Sequence, residues 1–178
     1  MLLDLGLLIL RLVVGALLFA HGAQKLFGWF GGPGLAGATG MFGAHLRLRP
    51  ASFWALFGSL TEVGGGLLVV LGLLWPIGPV AIIAAMLMAL TVHWPRFWAQ
   101  GGGIEYPLVL LIAGLAVGLT GPGAYALDSL VNVQLPEPLS LVVGVIAAVL
   151  GVGVALATRA PAQAPVPAPA DEVVATAH

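Results

Sequence analysis

Long apolar runs alternate with short polar or glycine-rich breaks along the chain, and the runs are long enough to cross a membrane. A helix needs about 20 apolar residues to span the hydrocarbon core. Residues 5–26, 53–74, 77–95, 104–120 and 139–158 meet or approach that length, which predicts an all-α membrane protein with five spans. The breaks differ in character. Residues 27–51 are glycine-rich and turn amphipathic at MFGAHLRLRP, which reads as a short interfacial helix with Met41, Phe42 and Leu46 inward and the arginines outward. Trp75-Pro76 reads as a tight turn, 96–103 as a short loop, and 121–138 as a longer polar one. The Pro/Ala-rich segment from Arg159 reads as a disordered tail. The start, MLLDLGLLIL, has no basic n-region and carries Asp4, so it reads as a retained membrane helix.

Composition strengthens the membrane assignment. The 178 residues are 60% hydrophobic and 7% charged, with a mean hydropathy of +1.10. A soluble domain carries about 25% charged residues, so this chain has too few to coat a water-facing surface. The net charge of −1 argues against nucleic acid. With no cysteine, the chain itself performs no thiol chemistry and holds no thiolate-bound metal. Lys25, Arg47, Arg49, Arg96 and Arg159 all fall in or beside breaks on one side, and the opposite breaks have no Lys or Arg. The positive-inside rule then places a multi-pass protein in the cell membrane with its C-terminus in the cytoplasm.

Small residues recur at helical spacing. Ala81, Ala85 and Ala89 repeat every four residues, as do Ala147, Gly151 and Ala155, and Gly64 to Gly66 form a smooth patch. Such faces let helices approach closely where lipid supplies no hydrophobic drive.

Two groups of polar residues stand out against this background. Arg11 and Glu62 lie deep in the first and second runs, where a charge costs roughly 2.5–3.5 kcal/mol and is usually paired. Aligning Leu26 with Phe53 puts them at depths of about 22 Å and about 14 Å, a mismatch of about 8 Å that an extended arginine nearly spans. A structural Arg11–Glu62 pair and a functional Glu62 are therefore both open. The second group is His21, Gln24 and Lys25 at the end of the first run, His93 at the end of the third, and Glu105-Tyr106 at the start of the fourth. His21, Gln24 and Lys25 share a helical face, and the topology brings all these ends to one side. They read as the wall of a shallow cytoplasmic-facing pocket. Plainer roles stand beside this one: Lys25 snorkelling to headgroups, Trp29, Trp94, Trp98 and Tyr106 as interfacial anchors, His45 without a special role, and His93 hydrogen-bonded to Glu105 as a staple. No HxxH, HxxxH or ExxH spacing occurs, so no metal is expected.

The segments RLVVGALLFAHGAQKLFGWFGGPG, SLTEVGGGLLVVLGLL and GGGIEYPLVLLIAGLAVGLTGPGAYALD, in that order, resemble the DoxX family of small bacterial and archaeal membrane proteins. The resemblance covers roughly residues 8–130. It implies a four-helix membrane bundle of DoxX type over residues 1–130. A linker and an added fifth transmembrane helix over 131–158, and the tail over 159–178, depart from that pattern. Named members resemble the membrane subunit of a thiosulfate:quinone oxidoreductase, and others are linked to redox-stress complexes. The resemblance thus implies a pocket for quinone or a similar lipid-like molecule. Arg11, His21, Lys25, Glu62, His93, Glu105 and Tyr106 are the positions carried over.

Three readings follow. In the first, the chain is a quinone-interacting membrane subunit of an oxidoreductase complex. His21, Lys25, Tyr106 and Arg11 bind the cofactor, and Glu105, His93 and Glu62 carry protons. The second is a non-catalytic scaffold or assembly factor, with the fifth helix as a docking surface. The third is a small transporter or proton channel, ranked last because no inverted repeat is visible. Expected partners are membrane lipids, a soluble or membrane redox partner subunit, and further copies of the chain.

Overall fold

In the computed structural model, which describes residues 1–131 and 135–161, the chain forms seven helices. They are α1 (Leu2–Phe27), α2 (Gly34–Ala44), α3 (Ala51–Leu71), α4 (Ile77–His93), α5 (Glu105–Thr120), α6 (Asp128–Val131) and α7 (Leu139–Ala157). No strand occurs among the described residues. The protein is an all-helical membrane bundle in which α1, α3 and α7 are long and apolar enough to cross a membrane. The helices α4 and α5 are shorter, at 17 and 16 residues. The expected tail lies largely in residues 162–178, outside the described residues.

Local sequence explains the boundaries. Pro50, Pro76 and Pro138 stand just before α3, α4 and α7, where a missing N–H costs nothing and φ already suits a helix. At the end of α3, Gly72 takes φ 63°, the left-handed conformation that closes helices. A side chain there would also collide with the Arg11 guanidinium and Ala126.

The helices α1 and α3 form the tightest seam. Cβ atoms added at Gly15, Gly22 and Gly66 would lie under 3.0 Å from the opposing helix, facing Val70, Val63 and Phe19 in turn. This antiparallel register is offset by about six residues, or about 9 Å, from the alignment of Leu26 with Phe53. The cause is α2. The short helix expected at MFGAHLRLRP instead covers residues 34–44 and packs on α1 and α3, and α3 begins beyond the end of α1. Ala38, Phe42, Leu46, Leu48 and Ala55 make a small core around it. Phe42 and Leu46 are buried as expected, whereas Met41 is exposed.

On the other side of α3, Gly65 meets Ala81 of α4, and Gly78 meets Val69. The patch expected at Gly64 to Gly66 therefore packs through Gly65 and Gly66, while Gly64 faces open space. Further round, α4 packs on α5 and α7. Gly114 of α5 meets Ile82, and Gly144 of α7 meets Val80. The main core is Val14, Leu18, Val69, Ile82, Met86 and Leu110.

Candidate functional site

The six-residue offset decides which polar groups meet. Arg11 does not reach Glu62. Its guanidinium donates to the carbonyls of Val69 (3.1 Å), Val70 (3.2 Å), Tyr125 (3.3 Å) and Pro122. It is 1% exposed, and no carboxylate lies within 4 Å among the described residues. Arg11 thus crosslinks α1, the last turn of α3 and the segment after α5. Two carboxylates finish this end. Asp128 accepts from the backbone amides of Leu74 (2.9 Å) and Trp75 (2.8 Å), fixing the α3–α4 turn. Asp4 accepts from the amide of Ala124 at 3.1 Å. A smaller cavity of about 510 Å³ lies beside Trp75 and Asp128.

Glu62 pairs instead with Lys25. Both carboxylate oxygens approach Lys25 Nζ, Oε2 at 2.6 Å. Lys25 therefore does not snorkel outward: its ammonium turns inward to the Glu62 carboxylate, which is largely buried. Gly22 makes this contact available, because its bare backbone lets α1 lie directly on Glu62 and Val63. One helical turn from Lys25, His21 Nε2 shares a hydrogen bond of 3.2 Å with the Tyr106 hydroxyl of α5. The two rings are 5.8 Å apart. Tyr106 is thus tied into the polar cluster, whereas Trp29, Trp94 and Trp98 are exposed.

His93 and Glu105 do not touch each other in a staple. His93 Nδ1 donates to the Gly102 carbonyl at 2.6 Å, which leaves Nε2 of the neutral ring as an acceptor. Glu105 accepts from the Ala99 amide at 2.9 Å. Both hold the loop between α4 and α5. Gln24 packs under Gly32. Arg159 donates to Thr91 at 3.2 Å, and the Ala160 amide donates to the Arg47 carbonyl at 2.8 Å. These bonds gather the basic residues beyond α2, α4 and α7 at the Lys25 end.

A cavity of about 830 Å³ opens beside the cluster. His21, Lys25, Glu62, His93 and Tyr106 line it, with His45 and Arg96. Arg11 and Glu105 do not. The cavity is not the shallow pocket expected. Along α4 its lining runs from His93 to Ile77, while α3 lines it from Trp54 to Glu62, α7 from Ala147 to Ala155, and α2 and the segment after it from Met41 to Leu48; toward Ile77 the lining is apolar. Part of its space exists because the residues there are small: Ala81, Ala84, Ala85 and Ala89 on α4, and Ala147 and Gly151 on α7. Among the described residues, no group of three or more His, Asp or Glu side chains converges on a metal-sized site.

A deep Lys–Glu pair, a His–Tyr bridge and a glycine-packed α1–α3 seam lie within residues 6–94 and the start of α5. The DoxX family model matches residues 6–94. The chain belongs to the DoxX family. It is 30% identical to "Putative oxidoreductase CatD" of Bacillus subtilis (strain 168) over 129 residues, 72% of this chain and 88% of that protein. It is 29% identical to "Inner membrane protein YqjF" of Escherichia coli (strain K12) over 131 residues, 72% of this chain and 94% of that protein. No solved structure matches the chain. The DoxX match takes in α1 to α4 and stops short of α5 and α7.

Of the residues expected on the pocket wall, His21, Lys25, His93 and Tyr106 line the cavity, and Glu62, expected in a separate deep pair, joins them. The short helix expected over MFGAHLRLRP forms earlier, over residues 34–44, and packs on α1 and α3, and the bulk-poor face of α7 that leaves the cavity open was not foreseen. Ala147, Gly151 and Ala155 were visible as a repeat, but a repeat of small residues predicts close packing as readily as a void. Here Ala155 is buried while Gly151 has no atom within 4 Å of a Cβ position.

Proposed function

We propose that this DoxX protein is a quinone-interacting membrane subunit of an oxidoreductase complex, with the quinone head at the Lys25 end of the cavity. One observation carries the reading: a buried Lys25–Glu62 pair and a His21–Tyr106 hydrogen bond close one end of an otherwise apolar cavity. Small-molecule sites have this make-up, apolar walls with a few convergent polar groups. A quinone carbonyl accepts hydrogen bonds, and Lys25 and Tyr106 are donors. Reduction to the quinol takes two electrons and two protons. A redox-active partner subunit supplies the electrons. The protons enter through the Lys25–Glu62 and His21–Tyr106 groups, which can exchange them. The oxidoreductase name of the Bacillus relative agrees with this reading. Glu105 and Arg11 then act as positioning residues, outside the cavity. By the positive-inside rule the Lys25 end and the C-terminus face the cytoplasm.

The test is mass spectrometry of small molecules copurifying with gently extracted protein. Wild type is compared with Glu62→Gln and Tyr106→Phe. Stoichiometric quinone in the wild type, lost from both variants, is the expected result. No quinone in any sample, with a protein partner retained, would replace this reading with the scaffold.

A further inference from the structure

The polar cluster occupies only the His93 half of the cavity, and the remainder has a shape of its own. The lining follows α4 from His93 to Ile77, about 24 Å at 1.5 Å per residue, and Glu62, level with about Ala84 by the Gly65–Ala81 contact, stands near the middle of it. Both α3 and α7 pack on α4, yet they form no extensive contact with one another. The gap between them is where larger side chains would ordinarily interlock to native density. Instead α7 presents Ala147 and Gly151 there, and α4 presents Ala84 and Ala85.

We propose that this gap is a tail channel: the ligand is a prenylated quinone that enters sideways from the bilayer between α3 and α7, and α7 determines its specificity. This rests on the quinone reading above and deepens it. The cavity carries its polar groups in the His93 half and is apolar toward Ile77 and along α7, which matches a molecule with one compact carbonyl head and an apolar chain. The polar end carries both signs, Glu62 beside Lys25 and Arg96, so an uncharged carbonyl head can accept from its donors, whereas a phosphodiester would bring in a further charge that has to be desolvated. Moving a tail from lipid into this channel gains little hydrophobic free energy, since both surroundings are apolar. Selectivity therefore comes from packing against the walls. The positions that control it are then the small residues of α7, which lie outside the matched family region.

The experiment uses the full-length protein in lipid nanodiscs and a menaquinone analogue carrying a photoreactive diazirine near the far end of its tail. Menadione, the same ring without the tail, is the competitor. Labelling of the cavity-facing peptides of α4 and α7, suppressed by excess menadione, is expected. Ala147→Phe or Gly151→Leu should cut that labelling at least about fivefold by filling the space. Gly153→Leu, on the same helix but not lining the cavity, should leave it unchanged. If menadione competes but the label falls on the exposed face of α1, the channel is wrong and the quinone site stands. If Gly153→Leu matches the other two variants, α7 has no specific role. If excess menadione suppresses nothing, the quinone reading fails and the channel with it.

Discussion

The two ends of the bundle handle buried charge in opposite ways. At one end, Arg11 spends its donors on four backbone carbonyls, and Asp128 spends its acceptors on two backbone amides. Side chain answers backbone, and the result ties α1 to the α3–α4 turn and the segment after α5. At the other end side chain answers side chain: Lys25 with Glu62, His21 with Tyr106. These groups line an 830 Å³ cavity. Backbone partners cannot exchange protons at neutral pH or leave without unfolding a turn, whereas titratable partners can do the first and rotate away to do the second. A deep charge in a membrane protein is therefore a poor guide to function until its partner is known. Arg11 and Glu62 looked alike in sequence, and the structure separates them.

Substitutions should fall on different readouts at the two ends. Arg11→Met strands four carbonyls, each costing about 1–3 kcal/mol when left unpaired, so the protein should fail to accumulate or lose the largest share of its thermal stability in detergent. A stable Arg11→Met protein with lost ligand would overturn the division. Lys25→Met leaves the Glu62 carboxylate unpaired in an apolar wall, at a cost of roughly 3 kcal/mol by analogy with broken buried pairs. Adding Glu62→Leu should restore most of that stability, measured by melting, while copurifying quinone stays absent. Recovery of both would make the pair a passive staple. Asp128→Asn weakens two charge-assisted bonds and should cost about 1.5–3 kcal/mol, with ligand content per folded molecule unchanged. Tyr106→Phe should be the mildest in stability, about 0.5 kcal/mol for one half-exposed hydrogen bond. It should nonetheless reduce bound quinone, and unchanged ligand content would remove Tyr106 from the site.

Much of this was legible in the chain. Run length located five of the helices to within about three residues, a boundary error expected of any helix assignment, because hydropathy is a strong signal over 20 residues. The sharing of a face by His21 and Lys25, and the gathering of His93 and Tyr106 at the same end, followed from periodicity and antiparallel order. Partner choice did not follow, since it depends on register. Register depended on α2, whose amphipathic end at MFGA reads as helix but whose glycine-rich start GLAGATG looks like a loop by propensity. Tertiary packing of Ala38 and Phe42 on α3 makes it helical. Asp128 looked like a loop residue because amide capping by a carboxylate more than 50 positions away leaves no local signature.

The glycine seam of α1 and α3 has a consequence for motion. Backbones in contact at Gly15, Gly22 and Gly66 leave no slack for sliding or separation, so those two helices move as one piece. Among the extensive packing contacts, α7 has only α4 as a partner. Elements with few neighbours open at the lowest free energy. Exchange of backbone hydrogens for deuterium should therefore begin in α7 and come last at the seam, and whatever enters the bundle waits on the swing of its most lightly held helix.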